Sequence, residues 1–178
     1  MDLQRFLSDR VSKSTQHRQF YHFTDKRNLE SIRKHGLLCA SELRVRGIFK
    51  DVVTGGDQNS LATDTAKGTD KYVCLCFTRG HPMAHVAQRD ERALELVLLE
   101  INPEVIKIPN VMITNAASNQ TGIVRQAAAD ALDDLDLDVI YNWMKWADPA
   151  VNARLQIADK YEILVPNCVP VEYIIRGL

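Results

Sequence analysis

The pattern of apolar and polar positions in the first third of the chain predicts helices around one strand. Apolar residues recur at helical spacing over residues 2–12, which predicts a short amphipathic helix. The aromatic segment FYHFT at 20–24 is typical of a strand. We expect a helix to follow it, capped at its start by Thr24 or Asp25 and ended by Gly36.

After residue 50 the pattern becomes mostly strand-like. Residues 51–70 are polar, contain three glycines and lack periodicity, which predicts a long loop. We expect helices at 83–92 and 139–147 and an exposed loop at 114–127. Apolar runs rich in β-branched and aromatic residues predict strands at 72–78, 94–101, 105–108, 161–165 and 171–175.

The order of these elements indicates the fold class. Strands outnumber helices after residue 70, and they do not alternate with helices as they do in a parallel α/β sheet. We therefore expect an α+β fold in a single domain over residues 1–178, a length that suits one ordinary core. The chain has neither GxGxxG nor GxxxxGK[ST], which excludes the dinucleotide-binding fingerprint and the Walker-type phosphate loop.

Composition narrows the class of protein. The 178 residues are 46% hydrophobic and 25% charged, values that exclude a disordered tail, a collagen-like fibre and a coiled coil. No apolar run approaches the roughly 20 residues that a membrane-spanning helix needs. The first ten residues, MDLQRFLSDR, lack the apolar stretch of a signal peptide, so we expect a cytoplasmic protein.

Charge is distributed unevenly along the chain. The formal net charge is only -1, which by itself argues against a nucleic-acid partner. However, residues 1–50 hold 11 Lys and Arg against 5 Asp and Glu, whereas residues 129–178 hold 4 against 9. The basic end could form a surface for a polyanion, and the alternative is a set of solvated helix faces whose charges happen to segregate.

The four cysteines give little reason to expect a disulfide or a metal. Without an export signal, reduced thiols are expected. Cys74 and Cys76, followed by His81 and His85, have some likeness to a zinc site. Because these two cysteines alternate within the apolar run YVCLCF, we interpret them as buried residues on one face of a strand and expect no metal.

Three polar residues stand inside strand-like apolar segments or at their ends. His22 lies within FYHFT, where the usual role is that of a satisfied core or edge histidine. Arg79 follows the strand at 72–78, where a guanidinium could bind a phosphate in a bidentate manner or form an ordinary salt bridge. Glu162 is the second residue of YEILV, a costly place for a carboxylate unless it has a partner, a function or a solvent-facing edge.

Four segments together resemble one known family, and the match covers most of the chain. They are FYHFTDKRNLESIRKHGLL, CFTRGHPM, LELVLLEI and YEILVPNCVPVEYI. They are similar in order and spacing to the motifs Y-H-x-T…N-L…I…G-L, F-x-x-R-x-P-M, the strand after it and E-x-L-V-p of the DarT family of nucleic-acid-directed ADP-ribosyltransferase toxins. Arg79 lies four residues before Met83, one more than in the family pattern. The resemblance implies an ADP-ribosyltransferase-like fold of split antiparallel β-sheets with flanking helices.

The resemblance also implies a role for five residues. Glu162 would be the catalytic glutamate, which accepts a hydrogen bond from the nicotinamide-ribose hydroxyl and stabilises the oxocarbenium-like state. Arg79 would hold the NAD pyrophosphate and orient the substrate. His22 and Thr24 would contact the ribose or adenosine portion of NAD, and Asn28 would help to fix that pocket. NAD would be a co-substrate, and no metal would be needed.

The implied acceptor is a base in a single-stranded nucleic acid, with DNA favoured and RNA possible. The basic side chains of residues 1–50 could follow the backbone of that strand, and an acceptor-selecting loop would lie within 110–160. The polar stretch 51–70 could become ordered when substrate or NAD binds. A toxin of this kind, in a toxin–antitoxin or phage-defence system, would have an antitoxin protein as its partner.

Three alternatives share the scaffold. An NAD-dependent RNA 2′-phosphotransferase would rely on several arginines and a histidine rather than on Glu162. A protein ADP-ribosyltransferase would differ only in its acceptor. A non-catalytic binding module would use Trp143 and Trp146 as a partner surface, which the presence of His22, Arg79 and Glu162 in the expected order disfavours.

Overall fold

The computed structural model describes residues 1–55, 58–82, 84, 95–118, 120 and 122–178. The helix that the sequence predicts at 83–92 therefore lies almost entirely outside the described residues. No helix among the described residues is long and apolar enough to span a membrane.

Short helices surround the sheets. The first, predicted at 2–12, consists of an α-helix followed directly by a π-helical segment, Leu7–Val11, and this prediction is confirmed. In chain order the α-helices are α1 (Leu3–Phe6), α2 (Leu29–His35), α3 (Ala40–Val45), α4 (Gln58–Lys67), α5 (Ala128–Ala131), α6 (Leu137–Tyr141) and α7 (Pro149–Ala158).

The strands form two antiparallel sheets of unequal size. They are β1 (Phe20–Asp25), β2 (Leu37–Leu38), β3 (Tyr72–Cys76), β4 (Leu96–Ile101), β5 (Met112–Thr114), β6 (Gln126–Ala127), β7 (Glu162–Pro166), β8 (Cys168–Val169) and β9 (Ile174–Arg176). Seven of them pair in the order β6-β5-β7-β3-β1-β4-β9, and β2 pairs with β8. This arrangement confirms the predicted α+β class with split antiparallel sheets.

The centre of the large sheet brings together segments that are far apart in sequence. In the register of β3, Cys76 lies opposite Tyr21 of β1 on one side and opposite Glu162 of β7 on the other. Glu162 is also opposite Thr114 of β5. Because neighbouring strands are about 4.8 Å apart, this register places the ends of β1, β3 and β7 side by side.

Aromatic side chains stabilise the core beneath the sheet. Phe6 of α1 meets Tyr141 of α6 edge-on at 5.6 Å between ring centres, and Phe20 of β1 meets Phe77 at 5.5 Å. All four rings are almost fully buried. Burying a side chain of this size contributes about 2–3 kcal/mol to the free energy of unfolding. The N-terminal helix is therefore anchored to the same core as β1.

The structure corrects several predictions of secondary structure. The stretch 51–70, which was expected to be a loop, contains the helix α4. One side of this polar helix lines a cavity that is described below. The expected strand at 105–108 is instead part of a 3₁₀ helix, Pro103–Lys107, which the Asn102 side chain caps by accepting the N–H of Glu104.

Other differences concern the C-terminal half. The helix predicted at 139–147 starts earlier and ends at Tyr141. The strand predicted at 171–175 begins only at Ile174, after a 3₁₀ turn. The stretch predicted as a loop at 114–127 includes β6 and the last residue of β5, because both short strands extend the edge of the large sheet beyond β7.

Candidate active site

A cavity of about 340 Å³ opens beside the ends of the central strands. Its walls come from β1, β2 and β3, from α2 and α4, and from the segment 52–55. Its polar side chains belong to His22, Thr24, Asn28, Asp64, His81, Ser118 and Glu162, among others. The volume is at the lower end of the roughly 300–1,000 Å³ that is typical of small-molecule sites.

Glu162, the first residue of β7, places its carboxylate on this cavity. The residue is only 7% exposed. Its Oε2 accepts the backbone N–H of Ser118 at 2.8 Å, and its Oε1 lies 3.4 Å from Nε2 of His81. An unpartnered carboxylate at such a position would cost several kcal/mol, so these two neighbours make its burial tolerable. The hydrogen bond from Ser118 thus orients the carboxylate before any ligand arrives.

His22 of β1 presents a neutral imidazole to the same cavity. Its Nδ1 lies 2.9 Å from the carbonyl oxygen of Cys74, which can only accept, so Nδ1 carries the proton and donates it. Burial lowers the pKa of His22, a shift that the hydrogen bond to Cys74 only partly offsets. In this tautomer Nε2 is an acceptor, which suits a ligand hydroxyl or N–H.

Thr24 and Asn28 form a buried hydrogen-bonded unit at the entrance of α2. The Asn28 Nδ2 donates to Thr24 Oγ1 at 3.0 Å and to the carbonyl of Val53 at 2.8 Å. The Asn28 Oδ1 accepts the N–H of Val53 at 2.8 Å. Asn28 therefore holds the segment 52–55 against the cavity by bonding to both backbone groups of Val53, as a neighbouring β-strand does. Both hydrogens of its side-chain amide are donated within the protein.

Arg79 is not brought to this cavity. Its Nη2 donates to Oε1 of Glu100 at 2.9 Å, and its guanidinium lies 5.2 Å from the ring centre of Tyr21. Side chains alternate along a strand, so Tyr21 and His22 point to opposite sides of β1. The structure thus assembles His22, Thr24, Asn28 and Glu162 and leaves Arg79 in an ion pair elsewhere, and the predicted contact of Arg79 with NAD stays a prediction.

Several cavity residues could not be recognised as site residues from the sequence. Ser118 acts on Glu162 through its backbone N–H, which any residue type could supply. His81 drew attention only as a zinc ligand, although the strand that ends five residues before it pairs Cys76 with Glu162. Asp64 lies on α4, a helix that the sequence did not predict.

Asp64, Cys74 and Cys76 are further ionisable groups of the cavity, and the pKa of each is shifted in the direction that favours the neutral form. Burial raises the pKa of Asp64, and the negative charge of Glu162 raises it further. Burial also raises the pKa of the Cys74 and Cys76 thiols well above the usual range, which argues against a thiolate nucleophile. Among the described residues no three His, Cys, Asp or Glu side chains form a group that could hold a metal ion, and His85 is outside that part of the chain.

The geometry defines what the site can do. A fixed carboxylate can accept a hydrogen bond from a ligand hydroxyl and can stabilise positive charge that develops beside it. It can also take a proton from an incoming nucleophile. The neutral His22 and the Thr24–Asn28 unit line the cavity around it and supply polar contacts for the rest of a ligand.

Sequence comparison identifies a family whose model matches most of the chain. The family model described as "ssDNA thymidine ADP-ribosyltransferase, DarT" matches residues 21–176, a range that includes the cavity residues His22, Thr24, Asn28 and Glu162 and also Arg79. No curated protein sequence matches the chain.

Solved structures share the fold. The Thermosipho africanus DarTG in complex with ADP-ribose is 19% identical, with a TM-score of 0.65, and the match covers 88% of this chain and 42% of that one. The Thermus sp. 2.9 DarT in complex with ADP-ribosylated ssDNA is 17% identical with a TM-score of 0.64, and the same protein in complex with NAD+ gives 19% and 0.56. Both Thermus matches cover 87% of this chain and 78% of the other. This likeness confirms the predicted fold.

Proposed function

The chain belongs to the DarT family of ssDNA thymidine ADP-ribosyltransferases, and from this membership we propose that it transfers ADP-ribose from NAD+ to a thymidine in single-stranded DNA. The relatives with solved structures bind the co-substrate and the product that this reaction requires, namely NAD+ and ADP-ribosylated ssDNA. The sequence prediction that favoured DNA over RNA agrees with this family, whose description names no RNA substrate.

One observation carries the proposal, the Glu162 carboxylate fixed at the wall of the cavity. The C–N bond between the nicotinamide and its ribose breaks, and nicotinamide leaves with the bonding electron pair. Positive charge then develops on the ribose, where a carboxylate stabilises it and accepts a hydrogen bond from a ribose hydroxyl. A thymine nitrogen supplies the electron pair of the new bond to the ribose carbon, and its proton passes to the Glu162 carboxylate.

The other cavity residues would bind and orient NAD+. The acceptor Nε2 of His22 suits a ribose hydroxyl or an amide N–H of the dinucleotide. Thr24 lies on the same cavity, and Asn28 would act by fixing Thr24 and the segment 52–55 rather than by giving up its amide hydrogens. The cavity volume of about 340 Å³ lies within the usual range of small-molecule sites.

The acceptor would approach from the side of the segment that follows β5. Ser118, which lies in this segment, donates its backbone N–H to Glu162, so the segment reaches the reacting carboxylate directly. This contact supports the expectation that the stretch 110–160 contributes to the choice of acceptor. The reacting base must be unstacked to enter such a pocket, which favours single-stranded substrate.

The biological role that we propose is that of a toxin with an antitoxin protein as its partner, acting in the cytoplasm, where NAD+ and DNA are both present. The name of the Thermosipho relative, DarTG, supports this pairing. The chain spans 42% of the length of that relative, so the activity and partners of the whole relative are carried over here only as a proposal.

The reaction is tested by incubating the protein with NAD+ and one of four acceptors. These are a single-stranded oligonucleotide with one thymidine, the same oligonucleotide with cytidine in its place, the thymidine oligonucleotide in duplex form, and an RNA with an internal 2′-phosphate. Intact mass spectrometry should show one added ADP-ribosyl group on the first acceptor only. Equal modification of the cytidine oligonucleotide, or loss of phosphate from the RNA without any DNA product, would overturn the proposal.

A further inference from the structure

His81 is a buried histidine beside the catalytic carboxylate, and the proposed mechanism does not yet use it. The residue is 4% exposed, follows β3 by five positions and lines the same cavity as Glu162. Its Nε2 and the Oε1 of Glu162 are 3.4 Å apart. A histidine that serves only to fill a core does not need to direct a ring nitrogen at a carboxylate.

The turn that carries His81 is tied to the neighbouring part of the fold. Thr78 Oγ1 donates to Asp159 Oδ1 at 2.5 Å, at the C-terminal end of α7, and the same Thr78 oxygen lies 3.4 Å from the N–H of Gly80. A Cβ atom at Gly80 would lie only 3.1 Å from Oδ2 of Asp159, so the turn passes very close to α7. The position of His81 is therefore set by the scaffold.

The two carboxylate oxygens of Glu162 are approached from two separate chain segments. Ser118 reaches Oε2 from the segment after β5, and His81 reaches Oε1 from the turn after β3. The first contact is a full hydrogen bond, whereas 3.4 Å is longer than the usual N–H···O distance of about 2.9 Å. Catalytic hydrogen bonds are often long in ligand-free proteins and shorten when substrate binds.

We propose that His81 is a positioning residue, which donates Nε2–H to Oε1 of Glu162 and fixes the plane of the carboxylate against the reacting ribose. This inference rests on the proposed function. With Ser118 on one oxygen and His81 on the other, the carboxylate cannot rotate about its terminal bond. The lone pairs that remain are directed into the cavity, towards the ribose hydroxyl and the thymine proton.

Paired substitutions separate a positioning role from packing. His81→Gln places an amide N–H near the position of Nε2, whereas His81→Asn is too short to reach Glu162. We expect His81→Asn to lower the single-turnover rate of transfer by about 10- to 100-fold, and His81→Gln to restore most of it. The dissociation constant for carba-NAD+, which cannot form an oxocarbenium ion, should change less than about threefold in both variants. His17→Gln is the control, because His17 contacts Tyr21 outside the cavity.

Two results would overturn the inference. One is a His81→Asn variant that transfers at the wild-type rate. The other is a loss of carba-NAD+ affinity as large as the loss of rate, which would make His81 an ordinary pocket residue. Circular dichroism and thermal unfolding of each variant show that the comparison concerns folded protein.

A measurement that needs no turnover keeps this test separate from the proposed function. In protein labelled with ¹⁵N at histidine, the His81 ring should carry its proton on Nε2, and that resonance should move in Glu162→Gln but not in His17→Gln. A proton on Nδ1 alone would refute the contact. If the contact is present but the wild-type protein modifies no thymidine, the proposed function fails and the geometry stands.

Discussion

At the scale of single residues, the environment of each side chain decides which predicted site residues can act together. Glu162 and His22 drew attention because each stands in an apolar strand, but their roles came from the family resemblance, and the structure places both on one cavity. Arg79 interrupts nothing, since it follows its strand. A guanidinium at a strand end can pair with a carboxylate just as well as with a phosphate, and sequence alone does not distinguish the two. Ser118 acts through its backbone and leaves no trace in the residue type.

Arg79 offers a direct comparison of sequence expectation and observed geometry. The ion pair with Glu100 and the position over Tyr21, outside the cavity, predict that Arg79→Gln changes the dissociation constant for carba-NAD+ less than about threefold, whereas the contact implied by the family resemblance predicts a much larger rise. The ion pair is half-exposed, so its loss should cost less than about 1 kcal/mol. Calorimetric titration measures the affinity. A rise of tenfold or more would instead support the predicted contact with the pyrophosphate.

The stability of the protein should depend on pH through His17. Burial, and then the positive charge of Arg79, lower the pKa of His17 from 6.5 to about 4. As the pH falls, His17 binds a proton at a higher pH in the unfolded chain than in the folded protein. Its contribution to the free energy of unfolding is therefore fully present above about pH 6.5 and is lost as the pH falls towards about 4. His22, whose pKa is also lowered, acts in the same direction.

Urea unfolding at pH 7 and pH 5 measures this dependence. The midpoint of the wild-type protein should be lower at pH 5, and the decrease should be smaller in His17→Gln, which cannot take up the proton. An identical decrease in both proteins would show that His17 does not titrate in this range.

At the scale of secondary-structure elements, apolar strands were predictable and polar helices were not. The predictions for β1, β3 and β7 lie within two residues of the observed bounds because these strands are buried on both faces or alternate clearly. α4 was predicted as a loop, since it has few apolar residues and three glycines lie in or beside its segment. A tertiary contact stabilises its C-terminal end, where Arg125 donates to the carbonyl of Lys67 at 2.8 Å.

The 3₁₀ helix Pro103–Lys107 was mistaken for a strand for a different reason. Val105 and Ile106 are adjacent and both buried, a pattern that a short strand and a single helical turn can share. The Asn102 cap and the proline after it are the features that favour the helical turn.

The small sheet depends on one glycine. Gly36 has φ +78°, and a Cβ atom there would lie 2.8 Å from both the Sγ of Cys168 and the carbonyl oxygen of Val169. We expect Gly36→Ala to lower the free energy of unfolding by about 2–4 kcal/mol, since it adds a clash to the backbone strain. Gly47→Ala is the matched control, because Gly47 has φ +70° but open space around it.

Thermal and urea unfolding of the two alanine variants separate the two contributions. Gly47→Ala should show only the cost of positive φ, about 1 kcal/mol. Because β2 lines the cavity, Gly36→Ala should also weaken carba-NAD+ binding, whereas Gly47→Ala should not. An equal decrease in the free energy of unfolding in both variants would mean that the clash of the added Cβ atom with β8 contributes nothing to the effect of Gly36→Ala.

At the scale of the whole molecule, internal ion pairs neutralise much of the basic N-terminal region. Arg10 pairs with Asp138 at 2.6 Å, which joins the basic and acidic ends of the chain directly. Four of the eleven basic residues in 1–50 form no ion pair with any residue that the structure describes, namely Arg18, Arg33, Lys34 and Lys50. The segregation of charge along the sequence therefore overstates the charge that a DNA strand would meet.

This pairing predicts a modest dependence of DNA binding on salt. If the strand is neutralised by about four cations, the slope of log K against log salt should be close to −3. Fluorescence anisotropy with a thymidine oligonucleotide, at salt concentrations from about 50 to about 300 mM, measures the binding constant and hence this slope. Lys34→Gln with Lys50→Gln should make it shallower by about 1.4. A slope of about −8 would mean that the internal pairs open to bind DNA.

The central claim is that the Glu162 carboxylate acts in the transfer of ADP-ribose and contributes little to the binding of NAD+. One substitution tests this claim most directly. In Glu162→Gln the single-turnover rate of ADP-ribosyl transfer to a thymidine oligonucleotide should fall by about 100- to 10,000-fold, while the dissociation constant for carba-NAD+ changes less than about threefold. Glu104→Gln, at a carboxylate that pairs with Lys107 outside the cavity, should transfer at the wild-type rate. A Glu162→Gln variant that transfers within about tenfold of the wild-type rate would contradict the account.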